Sequence, residues 1–165
     1  MTKCDYVLVL DTEGLHAPEL DSQKTQKHDK ELATFFTGLA NATMINIILY
    51  GEAAGDMDDI LQTVVHAFIR MRTIRLSPSC QFIHQNVGAL MAKTKGVGRY
   101  RFIDKLDTTT REAAKEQCEE QCEHFSDVIE FAEQKDVHYL PSLWSGDSPM
   151  APIHPGYSEG AQDLD

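Results

Sequence analysis

The residues best suited to chemistry form one short stretch, Asp11-Thr12-Glu13-Gly14, directly after the apolar run Tyr6–Leu10. A β-branched and aliphatic run of this length predicts a buried strand, and a strand that ends in Asp-x-x-Gly is typical of a phosphate site. The Asp11 carboxylate would order a magnesium ion through its water shell, and the Gly14 N–H would reach a terminal phosphate unobstructed. The same residues fit a plain strand-ending turn with Gly14 at positive φ, so the motif alone leaves both interpretations open.

A second informative feature is a motif that these residues do not contain. No G-x-x-x-x-G-K followed by Ser or Thr occurs in the 165 residues. That loop cradles the α- and β-phosphates in many nucleotide-binding domains. We therefore expect these residues alone to have negligible nucleotide affinity, because the loop amides and lysine supply the largest electrostatic contribution to phosphate binding.

Composition narrows the classes of partner. The net charge is −11, from 15 basic and 26 acidic residues, which disfavours nucleic acid and anionic membranes because both require clustered Lys and Arg. The longest apolar stretch, 44–50, is interrupted by Asn46 and is far shorter than the ~20 residues that span a bilayer. The N-terminus has no signal-peptide core. We expect a cytoplasmic protein, with the nucleus as a second compartment.

The cysteines show no disulfide-framework spacing, which favours reduced thiols in a cytosolic chain. They are Cys4, Cys80, Cys118 and Cys122. Cys118-x-x-x-Cys122-x-His124 could supply zinc ligands. The alternative is that both cysteines pack as small hydrophobic side chains one helical turn apart, and this is favoured because no second ligand pair accompanies them.

The hydrophobic periodicity predicts strands that alternate with helices. Strands are expected at 6–10, 44–50, 80–84 and 137–140, and helices at 28–41, across 57–71, at 100–123 and at 127–133. Residues 15–27 are expected to form a loop, and the tail after Pro141 is expected to be irregular. This order predicts a three-layer α/β fold, with a mainly parallel sheet covered by helices on both faces.

Ligands of such sheets bind at the carboxyl ends of the strands. Four stretches follow the predicted strands: Asp11–Gly14, Gly51–Glu52, His84–Val87 and Ser142–Trp144. We expect Asp11 to stand on the same rim as the neighbouring amides Gln85 and Asn86, with space for a triphosphate between them.

Several stretches, in order and at matching spacing, resemble the very large interferon-inducible GTPases over nearly the whole chain. They are Asp11–Leu15, His28–Phe35, Met44–Ile47, Asp59–Gln62, Leu76–Cys80 leading into His84–Gly88, and Pro149–Pro152. Asp-Thr-Glu-Gly-Leu, Ala33-x-Phe35 and Asn46 are more distantly similar to guanylate-binding proteins and atlastins. The resemblance implies a P-loop-nucleotidase-like fold without its first strand and P-loop. Residues 1–148 would form a partial G domain, from switch element to last base-contacting loop, and residues 149–165 a Pro-containing tail.

The resemblance also implies roles for individual residues in a complete domain that binds GTP and Mg²⁺. Asp11 would hold the metal through water, Gly14 would contact the γ-phosphate, and Thr12 and Glu13 would complete the switch. His84–Val87 occupies the base-recognition position, but the Asp of Asn-Lys-x-Asp is absent. Gln85 and Asn86 offer neutral amides instead, so guanine preference rests on the resemblance. Alternatively, these two amides cap the next segment.

Three functions remain open from the sequence, and no residue is assigned a catalytic role. The first is part of a large GTPase that hydrolyses GTP when the missing P-loop completes it, and that self-associates through its G domains. The second is a degenerate, non-catalytic remnant that acts as an interaction module. The third is an unrelated parallel α/β binding domain. In the first two, strand 6–10 would lack its central neighbour, so its backbone groups would pair with strand 44–50, another chain or water.

Overall fold

A computed structural model describes residues 6–12, 22–48, 54–88, 95–117, 122–146, 150–162 and 164. The elements in these ranges are α1 (Ser22–Leu39), β1 (Ala42–Ile48), α2 (Ala54–Thr73), β2 (Ser79–Val87), α3 (Lys95–Glu116), α4 (Glu133–Asp136), β3 (Val137–Pro141) and α5 (Pro155–Gln162). A 3₁₀ turn at Phe125–Asp127 lies between α3 and α4. None of the helices in the described ranges is both long and apolar enough to cross a membrane.

The strands form a parallel three-stranded sheet in the order β1-β2-β3. Ile45 of β1 lies opposite Phe82 of β2, and Phe82 lies opposite Val137 of β3. Parallel neighbours require a crossover, and α2 and α3 are the helices that connect successive strands. The predicted parallel α/β architecture is therefore confirmed for these three strands.

The core lies between one face of the sheet and helices α2 and α3. Its apolar side chains include Ile47, Cys80, Phe82 and Val137 from the strands, and Leu61, Val65, Phe68, Phe102 and Leu106 from the helices. Phe82 is fully buried at the centre of this set. Its ring meets those of Phe102, Phe125 and Phe131 edge to face, at centroid distances of 5.1, 5.9 and 6.0 Å. Helix α2 forms where apolar residues recur at helical spacing, as predicted.

Helix α5 packs against β3 by a close approach at Gly160. A Cβ placed on Gly160 would lie 2.6 Å from Leu140 Cδ2, so a larger residue would require Leu140 to shift. Side chains alternate between the two faces of a strand, so Leu140 lies on the opposite face of β3 from Val137. Helix α5, which approaches Leu140, therefore lies on the opposite side of β3 from α3. The prediction of an irregular tail is therefore wrong for Pro155–Gln162.

The largest departure from prediction is the segment Tyr6–Leu10, which is irregular and exposed. Tyr6 is 93 % exposed and Val9 is 79 % exposed, so the prediction of a buried strand is wrong. The described sheet ends at β1, and its outer edge is not paired with this segment. An isolated apolar run without a hydrogen-bonded neighbour has nothing to hold it as a strand.

Several element boundaries also differ from the predicted ones. Helix α1 begins at Ser22, inside the predicted loop, while residues 13–21 lie outside the described ranges. Strand β2 continues to Val87, beyond the predicted end at 84. Strand β1 starts two residues before the predicted strand, whose last two positions lie outside the described ranges.

The predicted helix 127–133 does not form. The Asp127 carboxylate accepts hydrogen bonds from the backbone N–H groups of Glu123, at 3.0 Å, and His124, at 2.8 Å. This local capping stabilises the 3₁₀ turn at Phe125–Asp127, and the only α-helix between that turn and β3 is α4. Helix α3 ends at Glu116, before the predicted end at 123, and residues 118–121 lie outside the described ranges.

Candidate functional site

Strand β2 carries two adjacent amide side chains near its carboxyl end. Gln85 is half-buried and pairs in register with Ile48 of β1, whereas Asn86 is exposed. The ladder to β3 is irregular between His84 and Val87, and Asn86 has a φ of 58°, in the left-handed region. Asn tolerates this conformation better than most residues with a side chain, so this irregularity in the strand suits the residue that occupies it. Both amides are therefore held where ligands of parallel sheets bind.

His84 belongs to the core rather than to the exposed end of β2. It is 3 % exposed, stacks on Tyr139 with a centroid distance of 4.8 Å, and meets Phe102 edge to face at 4.6 Å. Its Nε2 has no hydrogen-bond partner in the described part of the chain. Burial lowers the pKa of His84 to about 4, so the imidazole is neutral at pH 7. Position 84 therefore contributes packing to the site and no contact to a ligand.

Asp11 and Thr12 are exposed and lie in an irregular segment, while Glu13 and Gly14 lie outside the described ranges. Because Tyr6–Leu10 is not part of the sheet, strand pairing does not place Asp11 beside Gln85. Strand β2 holds Gln85 and Asn86 side by side, and strand pairing in the described sheet does not position Asp11 or Thr12 relative to them. The common rim of Asp11 and the amide pair stays a prediction.

The loops after the other two strands contribute differently. Gly51 and Glu52 lie outside the described ranges. After β3, Trp144 forms an antiparallel bridge with Ile153, and the Ser145 N–H donates to the Pro152 carbonyl at 2.9 Å. These bonds tie the loop after β3 to the stretch that precedes α5. Trp144 is 46 % exposed and remains accessible at that end of the sheet.

Cys122, one of the candidate zinc ligands, is buried in the core. Its thiol is 3 % exposed, belongs to the hydrophobic core cluster and accepts a hydrogen bond from the Arg72 guanidinium. Cys118 lies outside the described ranges. In the described residues, no group of three or more His, Cys, Asp and Glu side chains could hold a metal ion.

Sequence reasoning missed a polar group that packs beside β3. Arg99 of α3 donates from Nη2 to the Val137 carbonyl at 3.0 Å, and its Cζ lies 5.9 Å from the ring centroid of Tyr139. Arg99 and Val137 are 38 residues apart, and no periodic pattern links positions that distant. The sequence signal that could have indicated this contact is the position of Arg99. A cation in the first turns of a helix is unfavourable for the helix macrodipole, which suggests that the residue has another role.

Comparison with known proteins shows which family the chain resembles. A family model for the URGCP-like GTPase domain matches residues 1–158. The chain is 51 % identical over 162 residues to interferon-induced very large GTPase 1 of Mus musculus, and 50 % identical over 163 residues to that of Homo sapiens. It is 31 % identical over 163 residues to up-regulator of cell proliferation of Mus musculus. No solved structure matches the chain significantly.

These alignments take in 97 % of this chain for the two very large GTPases and 98 % for the third protein. The chain spans only 6 % of the length of the very large GTPases and 16 % of the third protein. The resemblance to very large interferon-inducible GTPases is confirmed. Since the family match covers 158 of its residues, the chain belongs to the URGCP-like GTPase domain family.

Proposed function

We propose that these residues form part of a GTP-binding domain, from the switch that carries Asp11 to the last base-contacting loop. In this proposal they take part in GTP hydrolysis once a phosphate-binding loop completes the domain. The family match over residues 1–158 carries the proposal. The parallel sheet, with paired amides near the carboxyl end of β2, supports it.

Gln85 and Asn86 are the residues that would recognise the base. Each amide offers both a donor and an acceptor, which fits the mixed donor and acceptor edge of a purine. A neutral amide discriminates guanine less sharply than the carboxylate of Asn-Lys-x-Asp, because it lacks the charge that strengthens hydrogen bonds to the ring N–H groups. Guanine as the preferred base is therefore proposed from the family and not from these two side chains.

Asp11 to Gly14 would serve the phosphates and the metal. Asp11 is exposed, so its carboxylate is available to order Mg²⁺ through water, and oxygen ligands with retained waters suit this cation. Gly14 would donate its N–H to the γ-phosphate, and Thr12 and Glu13 would complete the switch. Bound Mg²⁺ would neutralise phosphate charge.

Two features support completion of the sheet by a strand that these residues do not supply. The outer edge of β1 is unpaired in the described sheet, and Tyr6–Leu10 leaves strand-forming side chains in water. Met44 and Ile48 of β1 are 59 % and 46 % exposed, so in the described residues this strand has apolar side chains in water as well as an unpaired outer edge. A strand that carries a glycine-rich loop would satisfy these backbone groups and place the loop amides near Asp11.

The proposal is tested by comparing the 165-residue chain with a longer protein in which a glycine-rich phosphate loop precedes these residues. Calorimetric titration with GTP and Mg²⁺ should detect no micromolar binding to the 165-residue chain and clear binding to the longer protein. Micromolar binding to the short chain would show that the phosphate loop is dispensable, which contradicts the proposal.

Variants of the longer protein distinguish the contribution of the backbone conformation at Asn86 from that of its amide side chain. Asn86→Gly keeps the left-handed φ and removes the amide, so GTP affinity should fall about tenfold, the equivalent of ~1.4 kcal/mol for one ligand hydrogen bond. Asp11→Asn should weaken the dependence of binding on Mg²⁺. Gln81→Ala, a half-buried glutamine at the start of the same strand, is the matched control and should leave affinity unchanged. Unchanged binding in both site variants would reject these roles.

The second candidate is a non-catalytic interaction module, which the exposed Tyr6–Leu10 segment specifically favours. Such a module would self-associate or hold a partner without binding nucleotide. A longer protein that binds no GTP and still self-associates would establish this candidate. A longer protein whose self-association requires GTP would instead support association through complete G domains.

A further inference from the structure

Four exposed apolar side chains occur where α1 and α2 end. Helix α1 ends at Leu39, shortly before β1, and α2 ends at Thr73, shortly before β2, so both helices finish at the amino ends of the strands. The Ser79 N–H donates to the Asn41 carbonyl at 3.0 Å, which holds the two helix-to-strand connections side by side. We call the exposed apolar residues at these helix ends the α1–α2 patch; they are Phe35, Leu39, Ile74 and Leu76.

Contacts between the two helices bring these ends together. Arg70 Nη1 donates to Thr34 Oγ1 at 3.2 Å. Further along both helices, a Cβ placed on Gly38 would lie 2.9 Å from the Met71 sulfur, so the helices run in the same direction and approach closely. Ile74 lies one turn beyond Arg70 on the same face of α2 and is exposed beside the last turn of α1. The apolar residues of the two helices therefore border the same seam.

Positive charge flanks the α1–α2 patch, although the net charge of the chain is −11. Arg70 and Arg75 are both exposed beside its apolar side chains. No ion pair between described residues includes either arginine. Arg70 donates to the neutral Thr34 hydroxyl, and the Arg75 guanidinium makes no hydrogen bond to another described residue. Both charges are therefore available to carboxylates that come from outside.

The backbone at Arg75 is unfavourable for the residue that occupies it, because its φ is 59°, in the left-handed region. Its N–H donates to the Arg72 carbonyl at 2.9 Å, and the next N–H, of Leu76, donates to the Met71 carbonyl at 2.9 Å. This helix-ending pattern usually has glycine at the position of Arg75. The macrodipole accounts for Arg70 and Arg72 in the last turn of α2, but a glycine at 75 would end the helix with less strain. Such strain points to a function for the arginine side chain.

We propose that the α1–α2 patch docks an acidic amphipathic helix of a partner protein. The apolar stripe of that helix packs on the four exposed side chains, and its flanking carboxylates pair with Arg70 and Arg75. A symmetric pair of copies of this chain would bring the same arginines against each other, so charge favours an acidic partner over self-pairing. The surface is separate from the candidate nucleotide residues Gln85 and Asn86, which lie about 20 Å away at the other end of β2.

Fluorescence anisotropy of a labelled synthetic peptide tests the proposal on the 165-residue chain. The probe is a helical peptide of about 18 residues, with leucines that recur along one face and glutamates on both flanks of that face. We expect saturable binding with a Kd of about 10–100 μM, and an affinity that falls as salt is added. The same peptide with lysine in place of each glutamate should show no saturable binding.

Arg75→Gly separates binding from folding, because its two expected effects have opposite signs. The affinity for the acidic peptide should fall about two- to fivefold. The melting temperature should rise by about 2–4 °C, because glycine adopts the left-handed φ without strain. Arg75→Lys keeps the charge and should restore most of the affinity. Phe35→Ala should weaken binding about tenfold, whereas the matched control Tyr100→Ala, at an exposed aromatic residue of α3, should leave it unchanged.

An absence of saturable binding, an equal affinity for the lysine peptide, or an affinity unchanged in both Phe35→Ala and Arg75→Gly would overturn the proposal. A lower melting temperature together with a lower affinity in Arg75→Gly would also count against it, because the arginine would then serve the fold. A dimer of the unaltered chain in sedimentation velocity that Phe35→Ala dissociates would assign the patch to a second copy instead. None of these outcomes bears on nucleotide binding at Gln85 and Asn86.

Discussion

Acidification from pH 7 to pH 4 should destabilise the fold through His84, and replacement of His84 by phenylalanine should remove that effect. The imidazole is 3 % exposed and its pKa is lowered from the ordinary 6.5 to about 4 by burial. Above pH 6.5 the histidine is neutral in both folded and unfolded chains and contributes no pH dependence. Below 6.5 the unfolded chain binds a proton that the folded chain does not, so the free energy of unfolding falls until the pH reaches about 4.

The magnitude follows from the two pKa values. The interval between 6.5 and about 4 corresponds to about 3 kcal/mol of unfolding free energy, at 1.36 kcal/mol for each pH unit. About 2 kcal/mol of this loss should already be present at pH 5. A loss of this size is a large fraction of the 5–15 kcal/mol that is typical of a folded domain.

Urea denaturation of the unaltered chain and of His84→Phe, at intervals between pH 7 and pH 4, measures this contribution. Phenylalanine keeps an aromatic ring against Tyr139 and Phe102 and cannot be protonated. The stability of the unaltered chain relative to His84→Phe should therefore fall by about 3 kcal/mol across the range. Burial also lowers the pKa of His66, but His66 is present in both proteins and cancels in the difference.

His124→Gln provides a control of opposite sign. The exposed His124 donates from Nδ1 to Asp107 at 2.8 Å, and this hydrogen bond raises the pKa of His124. Its contribution is therefore present below pH 6.5 and is lost as the pH rises through the raised pKa, so the variant should lose stability only on the acidic side. A difference between the unaltered chain and His84→Phe that stays constant from pH 7 to pH 4 would refute the burial argument.

Three further predictions follow from packing, capping and exposure. Phe82→Ala should lower the free energy of unfolding by about 3–5 kcal/mol in urea denaturation, whereas the control Phe35→Ala, at a 63 % exposed position, should change it by less than about 0.5 kcal/mol. Asp107→Asn should cost about 1–2 kcal/mol in the same assay, because it weakens the hydrogen bond that Asp107 Oδ1 accepts from the Phe125 N–H at 2.9 Å; no change would show that this bond is dispensable. Val9→Lys should reduce self-association in light scattering without lowering the melting temperature, because Val9 is 79 % exposed; a lower melting temperature would place Val9 in the core.

Sequence reasoning predicted the elements correctly where residues close together in the sequence determine the local structure. The apolar residues from Met57 to Met71 recur at helical spacing, with arginines in the last turn, and α2 forms there. The short run at 137–140 follows the charged pair Lys135-Asp136, precedes Pro141, and forms most of β3. The order of strands and helices predicted a parallel sheet because parallel strands require helical crossovers.

The failures have a different origin, in contacts between distant or unusual positions. The composition of Tyr6–Leu10 favours a strand, but a strand also requires a neighbour, and composition does not report whether one is present. The Asp127 side chain competes with helix formation by accepting two backbone N–H bonds. At the candidate site, the amide pair was predicted from its place after a strand. The left-handed φ of Asn86 and the burial of His84 depend on the register between β2 and β3, which sequence patterns do not specify.

The open edge of β1 and the uncovered Tyr6–Leu10 segment have a consequence for biosynthesis. Exposed apolar segments and unpaired strand edges make a nascent chain prone to aggregation, so the chain depends on chaperones until this segment and this edge are covered. Substitutions that slow enclosure would lower the cellular abundance of the protein through proteolysis, even where the three-stranded core itself is fully stable.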